Sequence, residues 1–455
     1  MAAINRNHAN YERRLNFIRR EIPFPTLFNI EVTINLPLLL QGLVHPTMPY
    51  KADITPITYD ADCPFDYNNF VYRLTLSSAI SEDDTKETLM QQKTGCKAIP
   101  ADTTAFIVRL TNPIAEGMNT ENRVENEVAM LNLVGAALRH HDPKVVPSVY
   151  GWGSAAGESS QGWILQELMP GTPLDVALES MDLQNKKAIF AQMAGMLSEM
   201  QKFHLPSSIT GFGGLTFDSA GRIVSGLMTS VDAGPWPSYE EQYKARLKIA
   251  LAKVDANPYI RGWQANGVRK RIDDFVDHGV TAQFRTLASK EERVLTHGDF
   301  TGNNMLYDAA SNRITALLDY DFSCISHPSY AFFCPFGVDG SQFQGWSGDE
   351  DTEELALHEA KLYGFPSPLP PSEEEGVDWE LAKTWEDELE KARVLRPRTI
   401  QGTDHVADVE ALLGAIMPGR LTNRTILEMQ SEEVKVEQRD DGEERLIKML
   451  DRFGF

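Results

Sequence analysis

At 455 residues the chain is too long for one compact core, and it is expected to fold as two lobes or as two to three domains. Its 42% hydrophobic and 24% charged residues exclude a disordered or fibrous protein. A formal net charge of −22 repels phosphate backbones and anionic membrane surfaces, which argues against nucleic-acid and lipid-surface partners.

In chain order, Tyr11 to Ile22 reads as a short charged helix, and the following FNIEVTINLPLLL mixes strand-like alternation with a proline stop. That apolar stretch is too short to span a membrane, and the polar N-terminus does not have the pattern of a signal peptide. Cys63, Cys96, Cys324 and Cys334 show no CxxC spacing, which fits a reducing, cytoplasmic location without structural zinc. FVYRLTL (Phe70 to Leu76) and TAFIVRL (Thr104 to Leu110) are β-rich, and the polar stretch between them is expected to be an elaborated strand connection. In ENRVENEVAMLNLVGAAL, Val124, Val128, Leu131 and Leu138 fall at helical spacing, with Asn119 or Thr120 in position to cap the helix. WILQEL (Trp163 to Leu168) is a strand that stops at MPGTPL, where Pro170 and Gly171 suggest a hinge.

Beyond the hinge, Ile189, Phe190, Met193, Leu197, Met200 and Phe203 mark a long amphipathic helix, and LTFDSAGRIV has the pattern of a hairpin. Further helices are expected over Tyr239 to Val254, Val268 to Val276, Trp379 to Lys391, Val406 to Ile416 and Glu444 to Phe453. The acidic runs GDEDTEE and SEEEG, from Gly348 and Ser372, read as solvated faces. The expected plan is therefore α+β, with a small β-rich N-terminal lobe over 1–168 and a larger, mostly helical C-terminal lobe over 169–455.

The segment VLTHGDFTGNNMLYD concentrates the chemistry. An apolar run delivers His297, Gly298 and Asp299 into a loop, and Asn304 follows five residues after Asp299. Phosphoryl transfer needs a carboxylate to accept a hydroxyl proton and an amide a short loop away to hold a metal on the nucleotide phosphates, which makes Asp299 the candidate base and Asn304 a candidate metal ligand. The strand MLY turns at DAASN and returns as RITALL, so Asp319 emerges at a strand end beside the loop. Oxygen-seeking Mg²⁺ prefers such a carboxylate, so Asp319 is the leading metal ligand and Asp321 a lesser one. His297 is expected to hydrogen-bond the loop backbone rather than act as a base.

The HGDFTGNN loop, the tight strand pair and ITALLDYD resemble the catalytic loop and metal motif of the aminoglycoside phosphotransferase and choline kinase superfamily. The resemblance is nearest to its fungal members and covers roughly Tyr72 to Phe333. It implies a two-lobed protein-kinase-like fold, ATP and Mg²⁺ as cofactors, and transfer of the γ-phosphate to a hydroxyl of a small molecule. By position it implies that Arg109 pairs with phosphate and that Glu127 is its helix partner; an exposed pair of Arg123 with Glu127 is the rival reading. Backbone groups from Glu167 to Met169 are implied for adenine. The stretch matching the phosphate-covering loop, CPFDYNNFVYRL, has no glycine, so Asn68 and Asn69 are expected to supply the left-handed turns there. After Asp321, HPSYAFF lacks the acid that relatives use to brace the loop. These departures leave two alternatives: a catalytically degenerate binding protein, and a cleft recruited for a different reaction in secondary metabolism. For the acceptor, the acidic C-terminal half suggests an amino alcohol, while Trp236, Tyr330 and Phe333 equally fit an apolar lining.

Overall fold

The computed structural model describes residues 7, 10–21, 52–57, 64–90, 93–118, 121–156, 161–337, 341–346, 352–372 and 376–455. FNIEVTINLPLLL, Cys63, the caps expected at Asn119 and Thr120, and most of the two acidic runs lie outside them. The chain packs as two compact units, Met1–Val128 with Pro147–Leu168, and Ala129–Val146 with Met169–Phe455. The first lobe expected over 1–168 thus yields residues 129–146 to the second unit.

In the first unit, α1 (Tyr11–Glu21), β1 (Ala52–Ile57), β2 (Asn69–Leu76), α2 (Glu82–Met90), β3 (Ala105–Thr111), α3 (Arg123–Ala137, whose C-terminal half belongs to the second unit), β4 (Val149–Gly153) and β5 (Trp163–Glu167) follow in order. The strands form one antiparallel sheet in the order β1-β2-β3-β5-β4. The period of two puts Tyr72, Leu74 and Leu76 on one face with Phe106, Val108 and Leu110, and Leu15 and Ile18 of α1 complete that core. Each such apolar side chain contributes about 1.5–3 kcal/mol on burial. Arg14 of α1 lies 3.7 Å from the Phe70 ring centroid and donates to the Tyr72 hydroxyl at 2.8 Å.

The opposite face of β3 carries Arg109, whose Nη1 meets Glu127 Oε1 of α3 at 2.8 Å, with the two side chains 8% and 2% exposed. Arg123 is also buried, at 1%, so the rival reading of a solvated pair on an exposed helix face is wrong. Its guanidinium donates to the Asn68 carbonyl at 2.7 Å and to Asn69 Oδ1 at 3.1 Å. α2 replaces the expected loop: Ser81 Oγ accepts the Asp84 N–H at 3.2 Å while the Asp84 carboxylate accepts from Ser81, a reciprocal cap with acidic residues along the first turn.

The second unit carries β6 (Thr172–Pro173), α4 (Leu174–Ser180), α5 (Leu183–Lys202), the hairpin β7 (Gly214–Phe217) and β8 (Ile223–Gly226), α6 (Tyr239–Asp255), α7 (Val268–Asp274) and α8 (Val280–Phe284). β9 (Val294–Thr296), β10 (Phe300–Thr301), β11 (Met305–Asp308), β12 (Arg313–Leu317), β13 (Cys324–Ser326), α9 (Tyr330–Phe333) and β14 (Phe336–Gly337) come next. α10 (Glu353–Tyr363), α11 (Trp379–Lys391), α12 (Thr403–Ile416), α13 (Gly419–Thr422), α14 (Arg424–Met429) and α15 (Glu432–Phe453) complete it. Side-chain caps begin the long helices: Asp182 accepts from the Asn185 N–H at 2.8 Å, and Ser238 from Glu241 at 3.2 Å. The first half of α15, so polar that only its last turns were expected, packs Gly442 against Trp263. Glu353, read as part of a solvated run, accepts from Trp379 Nε1 at 2.9 Å and from the Val377 N–H at 3.0 Å. Among the described residues no helix is long and apolar enough to cross a membrane.

Because Arg109 is buried against Glu127, removing the carboxylate strands a charge. Glu127→Ala is predicted to cost about 3–5 kcal/mol in urea unfolding. A loss below about 1 kcal/mol, the value of a surface pair, would contradict the buried pairing.

Candidate active site

The site in the second unit is built by two short strands and a hairpin. β9 is buried throughout and pairs antiparallel with β13, Thr296 opposite Cys324. It delivers His297, whose carbonyl accepts from Ser323 Oγ at 2.8 Å. Gly298 follows with φ 80°, and a β-carbon there would lie 2.3 Å from the Phe322 carbonyl oxygen, so the turn admits only glycine. Asp299 comes next. Its position is fixed by β10, where Phe300 pairs with Phe336 and donates its N–H to the Pro335 carbonyl at 3.2 Å.

A single helical turn over Gly302–Asn304 then reverses the chain. Asn304 Nδ2 donates to Asp299 Oδ2 at 2.8 Å and to the Asp299 carbonyl at 3.0 Å. With its nitrogen on Asp299, the amide has Oδ1 as the end that a hard cation takes.

The hairpin β11–β12 returns the chain to Leu318, whose N–H donates to the Asn304 carbonyl at 2.8 Å. The Leu318 carbonyl lies 2.9 Å from His297 Nε2, and His297 Nδ1 accepts the Asp299 N–H at 3.3 Å. This pairing sets the tautomer: Nε2 carries the proton, and His297 braces backbone at both ends, as its setting in the sequence suggested. Asp319 follows Leu318 directly, in the left-handed region at φ 61°, a conformation that aspartate tolerates better than most residues. Asp321 is buried at 1% exposure.

Burial pushes the Asp299 carboxyl up to about 6, and the negative charges of Asp319 and Asp321 add to the rise, against hydrogen bonds from Asn304 and Thr301 that pull it down. Two further acidic side chains therefore bear on Asp299, which is the kind of field that a divalent cation relieves. Among the described residues no three or more His, Cys, Asp and Glu side chains converge as a self-contained metal cage. Asn304 and Asp319 fit instead the pattern of Mg²⁺, which takes one or two protein oxygens and leaves its other positions to phosphates and water.

The residues singled out in the sequence for nucleotide binding lie in the first unit, except Met169, which begins the second and is buried at 7% exposure. The Glu167 carboxylate accepts from the Ser148 N–H at 2.9 Å, and its own N–H donates to the Ser148 carbonyl at 2.9 Å, so its side chain anchors β5. Asn68 and Asn69 do not supply left-handed turns. Asn69 is the first residue of β2, paired with Thr111, and neither asparagine has a positive φ. Arg123 and the Asn112 N–H both donate to the Asn68 carbonyl, and Asn7 accepts the Tyr67 N–H, so the described part of the loop is tied by side chains rather than by glycine conformations. Ser323 and the Leu318 backbone escaped sequence reasoning, since neither a serine two residues past an aspartate nor a main-chain group has a signature of its own. Ser323, bonded to the His297 carbonyl, braces the loop where no acid is available in HPSYAFF.

A model of the phosphotransferase enzyme family matches residues 99–334, more than half of the chain. The chain belongs to this family. Its fold is accordingly the kinase-like α+β fold, with the family match running from the start of the sheet's third strand region through the loop of Asp299 and past β13. Solved structures with likeness to it include a putative aminoglycoside phosphotransferase from Ralstonia eutropha, at 13% identity over 90% of this chain and 94% of that one, with a TM-score of 0.40. The ADP-bound aminoglycoside phosphotransferase APH(2'')-Ib is 11% identical over 87% and 94%, with a TM-score of 0.41. An ethanolamine kinase from Plasmodium vivax is 11% identical over 89% and 82%, with a TM-score of 0.38. No curated protein matches the chain.

An acid whose folded pKa is raised weakens the fold once ionised: the penalty is complete above about pH 6 and gone below the unfolded value near about 4. Asp299→Asn, which keeps the shape and the bond from Asn304, is predicted to raise the melting temperature at pH 8. The gain shrinks to nothing as the pH is lowered from about 6 to about 4. A gain that is the same at all pH values would contradict the buried, ionised Asp299.

Proposed function

We propose that the protein is an ATP- and Mg²⁺-dependent phosphotransferase that moves the γ-phosphate to a hydroxyl of a small molecule. The observation that carries this reading is the Asn304 amide bonded to an Asp299 carboxyl that burial raises to about 6, with Asp319 directly after the Leu318 crosspoint. In this reading Asp299 orients the acceptor hydroxyl and takes its proton as the oxygen bonds to the γ-phosphorus. The bond between that phosphorus and the β–γ bridging oxygen breaks, ADP leaves, and Asp299 passes the proton to solvent. Asn304 and Asp319 hold Mg²⁺, which when bound neutralises charge on the phosphates. Arg109, braced by Glu127, pairs with phosphate, and the backbone of Glu167 to Met169 contacts adenine.

A cytoplasmic location and kinship with fungal members belong to the same proposal. The second reading, a relative that binds nucleotide without turnover, draws on the loop at Asn68 and Asn69, whose backbone is already tied by Arg123, Asn112 and Asn7.

The test is ADP release from ATP in the presence of a panel of hydroxyl compounds. An acceptor-dependent rate is expected, and Asp299→Asn should lower kcat by about 10²–10⁴-fold, the usual worth of a general base, with little change in the KM for ATP. Tight nucleotide binding with no acceptor-dependent ADP release from any compound would favour the second reading.

A further inference from the structure

Gln166, in the last turnless stretch of β5 before Glu167, is 5% exposed. Its carboxamide oxygen is buried and has no hydrogen-bond partner among the described residues. An unpaired buried amide opposes folding, and interiors keep few of them. Glutamines that serve the fold are satisfied at both ends. Gln192 accepts from the Ile314 N–H at 3.0 Å and donates to the Asn312 carbonyl at 3.1 Å. Gln201 accepts from the Leu395 N–H at 2.7 Å and donates to the Leu395 carbonyl at 2.9 Å.

The strand register places Gln166. Trp163 and Leu165 join the core face with Phe106, Val108 and Leu110, so the period of two puts Gln166 on the other face, with Ile164, Ile107 and Arg109. Gln166 lies opposite Ile107, and Ile164 opposite Arg109. Gln166 and Arg109 are therefore diagonal neighbours on one face of one sheet, about 7–8 Å apart. The side chains beside it are engaged: Glu127 holds Arg109, and the Glu167 carboxylate takes the Ser148 N–H. The open amide thus sits between the residue read as the phosphate partner and the backbone read as the adenine partner.

A carboxamide offers one acceptor and one donor side by side. Adenine presents the matching pair at its 6-amino group and N7, and a glutamine amide meets both at once. A 6-oxo purine presents two acceptors there, O6 and N7, so one end of the amide stays unpaired whichever way it is turned. The adenine amino group has two hydrogens, and one spent on Gln166 leaves the other for the backbone that follows it.

We propose that Gln166 is a specificity-determining residue for the donor nucleotide, pairing with N6 and N7 of adenine and disfavouring 6-oxo purines. The assignment rests on the phosphotransferase reading and deepens it, by naming a side chain that selects the base.

The test is calorimetric titration of ATP, 7-deaza-ATP and ITP, each with Mg²⁺, into the wild type and Gln166→Met. 7-Deaza-ATP keeps the amino group but carries C–H in place of N7, and ITP has the 6-oxo edge. The wild type is expected to bind ATP about fivefold more tightly than 7-deaza-ATP, the value of one hydrogen bond, and more tightly again than ITP. Methionine, of like length and apolar, should abolish the difference between ATP and 7-deaza-ATP and narrow that between ATP and ITP. Its melting temperature should stay at or above that of wild type, since an unpaired buried group has been removed. Equal binding of ATP and 7-deaza-ATP by wild type, ratios unchanged in Gln166→Met, or a lower melting temperature of that variant would each overturn the assignment and leave the phosphotransferase reading in place. No binding of any of the three at millimolar concentration would remove the phosphotransferase reading and the assignment together.

Discussion

The candidate centre depends on the backbone of one residue, Leu318. Its N–H is committed to the Asn304 carbonyl and its carbonyl to His297 Nε2, so the end of β12 is fastened to both sides of the loop that carries Asp299. Buried main-chain groups must find partners, and here they do so by binding together three segments that the chemistry needs in one place. His297 makes this possible by staying neutral, with one ring nitrogen accepting from the Asp299 N–H and the other donating to Leu318. A charged imidazole could not accept at Nδ1. The histidine is thus a positioning residue whose protonation state is set by geometry.

The cost of the arrangement falls on Asp299. Gathering Asp299, Asp319 and Asp321 in a partly dry loop raises the carboxyl of the first to about 6, and the left-handed backbone at Asp319 adds conformational strain. Sites that sacrifice stability in this way are the ones in which a bound cation or a transferred proton restores the balance.

The candidate site was legible because its parts are contiguous: the glycine turn, the short spacing from Asp299 to Asn304 and the hairpin to Asp319 lie within one short stretch of chain. The amphipathic helices α3, α5 and α6 were legible from the spacing of their apolar residues. α2 was missed because its signal is a reciprocal serine–aspartate cap rather than an apolar stripe, and the first half of α15 because its packing contact is a glycine against Trp263. Glu353 looked solvated in a run of acids, yet it joins α10 to the start of α11 through Trp379. The rival pairing of Arg123 with Glu127 fails for a related reason. Spacing along a helix shows which residues share a face, but not that the face is buried against the Asn68 carbonyl of a loop distant in sequence.

The central claim is that Asn304 and Asp319 make nucleotide binding depend on a divalent cation. It is tested most directly by calorimetric titration of ATP, with and without Mg²⁺, into the wild type and Asp319→Ala. The account predicts binding that requires Mg²⁺ in the wild type and is weakened in Asp319→Ala. Binding that is indifferent to Mg²⁺ and to the substitution, or no binding at millimolar ATP, would contradict it.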